Sequence, residues 1–265
     1  MNVSYDFSGR TAFITGAGSG IGRASAIAFG AAGADVAVSD IAEPGGLETV
    51  ELIRAAGGTA EFFQLDVADA AAIRRTVSAI VERFGRLDIA HNNAGVLPPP
   101  ARFGDIAEAD WRRVLDVNLD GVYHCVQAEL GVMVPAGRGA IVNTASAAGL
   151  FVGYQQSAYT VSKHALIGLT RQAAVDHAKD GIRVNAICPG AVDTPFVPGP
   201  PPPKAIFDRL MLGVPAKRMA SADEIAAAVL WLASDAASYV NGVALPVDAG
   251  LTILSAGSDF SDLDL

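Results

Sequence analysis

Tyr159 and Lys163 stand four apart in the run Tyr159-Thr160-Val161-Ser162-Lys163. On a helix that spacing puts both side chains on one face, a turn from each other. A free phenol has a pKa of ~10 and a free lysine of ~10.4, so only the lysine is charged at neutral pH. An ammonium at about 4 Å, in an effective dielectric of about 20, favours the phenolate by roughly 4 kcal/mol. That corresponds to ~3 pKa units, before desolvation of either group is counted. The spacing therefore predicts a Tyr159 lowered towards the range of a general acid/base. Ser146 lies 13 residues before Tyr159, after an apolar run, and its hydroxyl could hold a substrate oxygen against the phenol. Each of these residues alone has an ordinary structural explanation; the combination carries the reading.

A second cluster is Thr15-Gly16-Ala17-Gly18-Ser19-Gly20-Ile21-Gly22, between an apolar run and an Ala-rich stretch. A strand-to-helix turn needs residues without Cβ where it bends sharply or touches a ligand. The helix N-terminus behind it offers free N–H groups and a positive dipole end to phosphate. The glycines follow G-x-x-x-G-x-G rather than G-x-G-x-x-G, and a tight turn without a ligand is the competing reading. Asp40 closes the next apolar run, 20 residues after Gly20. A carboxylate there accepts both hydroxyls of an adenosine ribose and repels a 2′-phosphate. No Arg or Lys occupies Ser19, Ser39 or Ile41 to welcome that phosphate. NAD(H) is expected over NADP(H), a solvated strand-end carboxylate being the alternative for Asp40.

These groups must be positioned by the elements around them. Short apolar runs at 11–15, 35–40, 60–65, 87–91, 140–144, 182–187 and 243–247 read as strands. Helical stretches fall at 21–32, 47–56, 70–84, within 106–134 as one long helix, at 158–179 and at 222–233. Strands that are continuously apolar belong to a sheet covered on both faces. Strand–helix alternation implies a doubly wound α/β fold with a parallel sheet and right-handed crossovers. No composition break divides the chain, so residues 1–265 are read as one domain. Two Pro-rich stretches interrupt the rhythm: Pro98-Pro99-Pro100, and Pro195 to Pro203 within a 195–215 insertion. They are either solvated connectors or the rim of a pocket, since both follow the carboxyl end of a strand.

The chain has 265 residues, 51% of them hydrophobic, which excludes intrinsic disorder. With 19 Lys and Arg against 28 Asp and Glu, its net charge of −9 disfavours nucleic acid or an anionic membrane as partner. No apolar run is long enough to span a bilayer, and no secretory signal is visible at Met1–Asp6, so a cytoplasmic protein is expected. Cys125 and Cys188 read as small core residues. His91, His124, His164 and His177 have no zinc-site spacing, so no metal is expected. Asp176, Asp180, Asp223 and Glu224 read as solvated or capping groups, and the acidic stretch at 251–265 as a frayed tail or a strip reaching a neighbouring subunit.

The ordered set Thr15-Gly16-x-x-x-Gly20-Ile21-Gly22, Asp66-Val67, Asn92-Asn93-Ala94-Gly95, Asn118, Ser146, Tyr159-x-x-x-Lys163 and Pro189-Gly190 resembles that of a classical short-chain dehydrogenase/reductase. The resemblance runs from about Arg10 to Gly250. It implies a Rossmann-type sheet of seven parallel strands in order 3-2-1-4-5-6-7, and a homotetramer or homodimer packed through the two long helices. It implies that Asp66 and Val67 contact the adenine, that Asn92, Ala94 and Gly95 line the cofactor, and that Pro189, Gly190, Val192 and Thr194 flank the nicotinamide. It implies that Asn118 holds a water linking Lys163 to solvent, that Tyr159 is the acid/base, that Ser146 orients the substrate oxygen, and that Lys163 also holds the nicotinamide ribose. The reaction implied is hydride transfer between NAD(H) and a secondary alcohol or ketone. A nucleotide-binding sensor or scaffold without turnover is the alternative; it gives no reason for Ser146, Tyr159 and Lys163 to occur together. Enoyl reductases of related fold use a different tyrosine–lysine spacing.

The stretch from Ala147 to Ala158 carries no charge, and Leu97, Phe196 and Met211 lie in the two Pro-bearing loops. A hydrophobic or cyclic substrate is expected, since Lys163 is the only cation in reach. Gln155 and Gln156 could recognise a polar edge or face solvent.

Overall fold

The computed structural model describes residues 4–197 and 203–254. Its strands are β1 (Thr11–Thr15), β2 (Asp35–Asp40), β3 (Thr59–Gln64), β4 (Ile89–Asn92), β5 (Gly139–Thr144), β6 (Ile182–Pro189) and β7 (Ala244–Val247). They form one parallel sheet in the order β3-β2-β1-β4-β5-β6-β7, as expected. Strand order reverses between β1 and β4, so their carboxyl ends open onto a crevice, the usual ligand position in such sheets.

Helices α1 (Gly20–Ala31), α2 (Glu43–Ala55) and α8 (Ala222–Ala233) carry residues of one core cluster, with Ile14, Val36, Val142 and Ile187 of the sheet. Helices α3 (Ala70–Phe84), α5 (Gly121–Ala136) and α6 (Ser157–His177) carry residues of the other, with Phe13, Ala37, Ile141 and Ala186. Neighbours such as Phe13 and Ile14, or Ile141 and Val142, thus serve opposite faces, following the two-residue period of a strand. This is why the strands read as unbroken apolar runs. Each fully buried Phe or Ile contributes about 1.5–3 kcal/mol. Local signals set several helix ends. The Asp69 carboxylate accepts from the backbone of Ala71 and Ala72 at the start of α3, and Gly85 ends it in a left-handed conformation. Ser221 and Glu224 form a reciprocal cap on α8.

Three elements differ from expectation. The single long helix is α4 (Glu108–Leu115), a π-helical turn (Asp116–Asp120) and α5. A widened turn of this kind relaxes the helical hydrogen-bond ladder, and it falls at Asn118. Helix α7 (Lys204–Met211), inside the expected insertion, was hidden by the prolines before it. Helix α2 starts four residues earlier than the hydrophobic period indicated, because Pro44 suits a first helical turn. Cys125 and Cys188 are buried and unbonded. The prolines at 200–202 and the tail from 255 lie outside the described residues.

Candidate active site

The glycine turn is fastened from two sides. Thr15, the last residue of β1, accepts on Oγ1 from the backbone N–H of Asn93 (3.0 Å) and of Ala94 (3.1 Å), just beyond β4. The Asn93 amide donates to the carbonyls of Thr15 (3.3 Å) and Gly16 (3.2 Å). Gly16 and Gly20 have φ of +62° and +51°, where a side chain is strained. A Cβ on Gly22 would lie 2.1 Å from the Gly16 carbonyl oxygen. Asp40 closes the turn from the other side, accepting from the N–H of Gly18 and of Ala42, each at 2.8 Å. Arg23 of α1 donates to the Gly18 carbonyl at 2.5 Å and pairs with Glu48.

Ser19, at the N-terminus of α1, has extended backbone and makes no side-chain cap, so the first N–H groups of α1 face the crevice uncapped. Opposite, the Thr194 side chain approaches Gly20, with 3.2 Å to an added Cβ. Ser19, Gly20, Asp40 and Thr194 thus come together at the carboxyl ends of β1, β2 and β6. Bare glycines, an uncapped helix start and a carboxylate at the end of β2 fit an adenosine diphosphate moiety. Ile41 is exposed beside Asp40, and Asp66 is exposed beyond β3. The side chains of Val67 and Asn92 do not reach this crevice. Val67 packs in the core. Asn92 is buried, donating to Glu129 and Asn143, each at 3.1 Å. Consecutive strand residues face opposite sides, so Asn93 is the one that meets the turn. Gly190 has a packing reason of its own: a Cβ there would lie 2.9 Å from the Asp248 backbone. Pro189 pairs with Val247, and Val192 bridges to Ala220.

Tyr159 sits in the first turn of α6, buried, with the Phe196 ring 6.2 Å from its own. Ser146 heads a short turn after β5, accepting from the Ala148 N–H at 3.1 Å, and its hydroxyl is near enough to the phenol to bear on its protonation. Lys163 is buried one turn along α6, its Nζ 5.5 Å from the centre of the Tyr159 ring. It donates to the Thr144 carbonyl at 2.7 Å. Burial lowers Lys163 to about 8. Burial raises Tyr159 above its ordinary value, with the Ser146 hydroxyl pulling down against it. This corrects the expectation from charge alone: desolvation of the phenol sets the direction, and the ammonium donates to a carbonyl instead of to the phenol.

Asn118 is fully buried, and both ends of its amide go to Val96: Oδ1 accepts from the N–H at 2.8 Å and Nδ2 donates to the carbonyl at 2.9 Å. Its side chain therefore holds the loop after β4, beside Gly95. Sequence reasoning missed Ser162, whose hydroxyl donates to the Tyr159 carbonyl at 2.7 Å and meets Asn118 Nδ2 at 3.5 Å. It also gave Asn93 and Thr144 no role. A buried Ser, Thr or Asn carries no one-dimensional mark of its partner.

The Pro98-Pro99 run borders a cavity of about 180 Å³, shared with Asp105, Asp110, Gln155 and Ala158. Gln155 has φ of +61°, and its carbonyl accepts from the Ala101 N–H, tying this loop to the segment before Tyr159. Leu97 is half-buried and Met211 buried. Among the described residues no helix is long and apolar enough to cross a membrane, and no three His, Cys, Asp or Glu are grouped to hold a metal.

Residues 16–252 match a family model described as enoyl-(acyl carrier protein) reductase. An uncharacterized oxidoreductase of Thermotoga maritima is 42% identical over 254 residues, spanning 93% of this chain and 99% of that protein. A 2,5-dichloro-2,5-cyclohexadiene-1,4-diol dehydrogenase of Sphingobium indicum is 40% identical, over 94% of this chain and 99% of that one. The crystal structure of carveol dehydrogenase from Mycobacterium avium in complex with NAD superposes with a TM-score of 0.90 at 33% identity, covering 95% of this chain and all of that one. The fold agrees with these matches, and the chain belongs to the short-chain dehydrogenase/reductase family.

Proposed function

We propose that the protein is an NAD(H)-dependent oxidoreductase that interconverts a secondary alcohol and its ketone, with Tyr159 as acid/base. The observation that carries this is the convergence of Ser146, Tyr159 and Lys163 beside an open, glycine-lined helix start. Asp40 supports NAD over NADP, because a carboxylate against the glycine turn repels a 2′-phosphate. The carveol dehydrogenase structure, which contains NAD, supports the same choice.

NAD, when bound, supplies the hydride acceptor for the alcohol carbon. The remaining work falls to the chain. Ser146 and Tyr159 hold the substrate oxygen between two hydroxyls, fixing the carbon they flank. Tyr159 accepts the hydroxyl proton as the carbonyl forms and returns it in ketone reduction. Lys163, buried and tied to Thr144, keeps a positive charge against the ring as the phenol loses its proton. Gly16, Gly20, Ile21, Gly22, Asp66, Ala94, Gly95, Pro189, Gly190, Val192 and Thr194 line the crevice for the dinucleotide.

Phe196 beside Tyr159, half-buried Leu97 and the Pro98-Pro99 wall support a hydrophobic or cyclic substrate. So does the Sphingobium relative, whose name specifies a cyclohexadienediol. Asp105 and Asp110 on that cavity disfavour a carboxylated or phosphorylated one. Exposed Tyr123 on α5 and Val161 and Val175 on α6 support assembly of a homotetramer or homodimer through those helices. The 195–215 stretch, with α7, serves as a substrate loop. Incubating the protein with NAD or NADP and a panel of cyclic and open-chain alcohols, while following NADH absorbance, tests the reading. No turnover with any alcohol, or turnover only with an enoyl thioester, rejects it.

A further inference from the structure

We propose that His91, deep in β4, is a positioning residue for the dinucleotide turn, acting through a hydrogen-bond chain of fixed polarity that runs His91 to Thr144 to Asn93 to Gly16.

The polarity follows from donor counting. The carbonyls of Thr15 and Gly16 only accept, so the Asn93 side-chain nitrogen must face them and its Oδ1 must face away. That Oδ1 lies 3.4 Å from the Thr144 hydroxyl, which therefore gives it its one proton. With that proton committed, the His91 Nε2 at 2.9 Å from the Thr144 oxygen must be the donor. His91 is accordingly the neutral Nε2–H tautomer, and its Nδ1, fully buried, has no partner. A second proton on that nitrogen would be an orphan N–H in the core, and burial holds the imidazole down to about 3. The chain ends at the turn where an added Cβ on Gly16 would come within 2.9 Å of the Ala94 backbone, so small shifts there matter. Thr144 is also the residue whose carbonyl takes Lys163. One buried histidine thus orients the hydroxyl of a threonine that serves both the glycine turn and the lysine.

The inference rests on the proposed binding of NAD(H) at that turn, and the test separates the two. NADH affinity, the KM for dinucleotide and the KM for alcohol are measured for the wild type, His91→Leu and His91→Gln. Leucine approximates the shape without a donor, whereas glutamine restores an N–H at similar reach. His91→Leu is expected to weaken NADH binding by about three- to tenfold, the size of one lost internal hydrogen bond. The alcohol KM should stay within about twofold, and His91→Gln should recover most of the loss. Unchanged NADH affinity in His91→Leu, or His91→Gln no better than leucine, overturns the proposal. A wild type that binds no NADH overturns the dinucleotide reading and the proposal with it. Nitrogen-15 spectra of the wild-type imidazoles give a check that needs no variant: His91 should be an Nε2–H tautomer that does not titrate between about pH 5 and 8. An Nδ1–H tautomer, or titration in that window, also overturns it.

Discussion

Lys163 Nζ lies over the Tyr159 ring, 5.5 Å from its centre, while its hydrogen bond goes to the Thr144 carbonyl at 2.7 Å. The lysine is thus fixed by the end of β5, not by the phenol it serves. Its ammonium faces the Tyr159 ring, while Ser146 is the neighbour that bears on the phenol hydroxyl.

Tyr159→Phe removes the acid/base and little else, because Phe196 and Lys163 contact the ring rather than the hydroxyl. It should lower kcat by at least ~10²-fold, with NADH affinity unchanged within about twofold. Steady-state kinetics with a fluorescence titration of NADH checks this. Retained turnover would remove Tyr159 from its role.

Asp40→Ala deletes the acceptor for the Gly18 and Ala42 N–H groups and the proposed ribose contact. The dinucleotide KM for NAD should rise by roughly 10-fold or more, the worth of a hydrogen bond to a charged group. The preference for NAD over NADP should narrow. The ratio of kcat/KM for the two dinucleotides is the measurement, and an unchanged ratio would exclude Asp40 from cofactor selection.

Gly22→Ala places a Cβ against the Gly16 carbonyl, in backbone that has no room to yield. Overpacking of this kind costs about 1–3 kcal/mol, so Tm should drop by roughly 2–10 °C. NADH affinity should fall with it as the turn is displaced. A thermal melt at wild-type Tm with full NADH binding would show that the turn tolerates a side chain.

Glu129 is fully buried on α5, with one oxygen on Asn92 and the other unpartnered, and burial raises its pKa to about 8. The folded chain keeps a proton that the unfolded chain releases near 4.5. Stability therefore falls as pH rises from about 4.5 to 8, by an amount on the order of a few kcal/mol. Glu129→Gln should remove that slope and be more stable than the wild type at about pH 8.5. Urea midpoints at about pH 5 and 8.5 test this; parallel curves for the two proteins would mean that Glu129 does not titrate in this window.

The parts of the site that depend on spacing along one element were legible. Four residues on α6 put Tyr159 and Lys163 on one face, and the glycines between β1 and α1 announced their turn. Asp40, at the end of β2, fell where a count of 20 residues from Gly20 placed it. The π-helical turn at Asn118 was not legible, because its residues have no composition that separates them from an ordinary helix. Nor was α7, where proline composition masked a short helix.

By itself the sequence determined the strand and helix alternation, hence the parallel sheet, and the residue types gathered at its carboxyl edge. Periodicity and turn chemistry are local, and both are written in neighbouring letters. The tertiary structure alone decided which of two adjacent asparagines meets the glycine turn, and that the Asn118 amide pairs with the backbone of Val96. It also decided that Tyr159 is raised and not lowered, and that Lys163 and Asn93 share Thr144. Each of those outcomes depends on burial and on partners tens of residues away. Desolvation and hydrogen-bond pairing act through space, and no spacing along the chain encodes them.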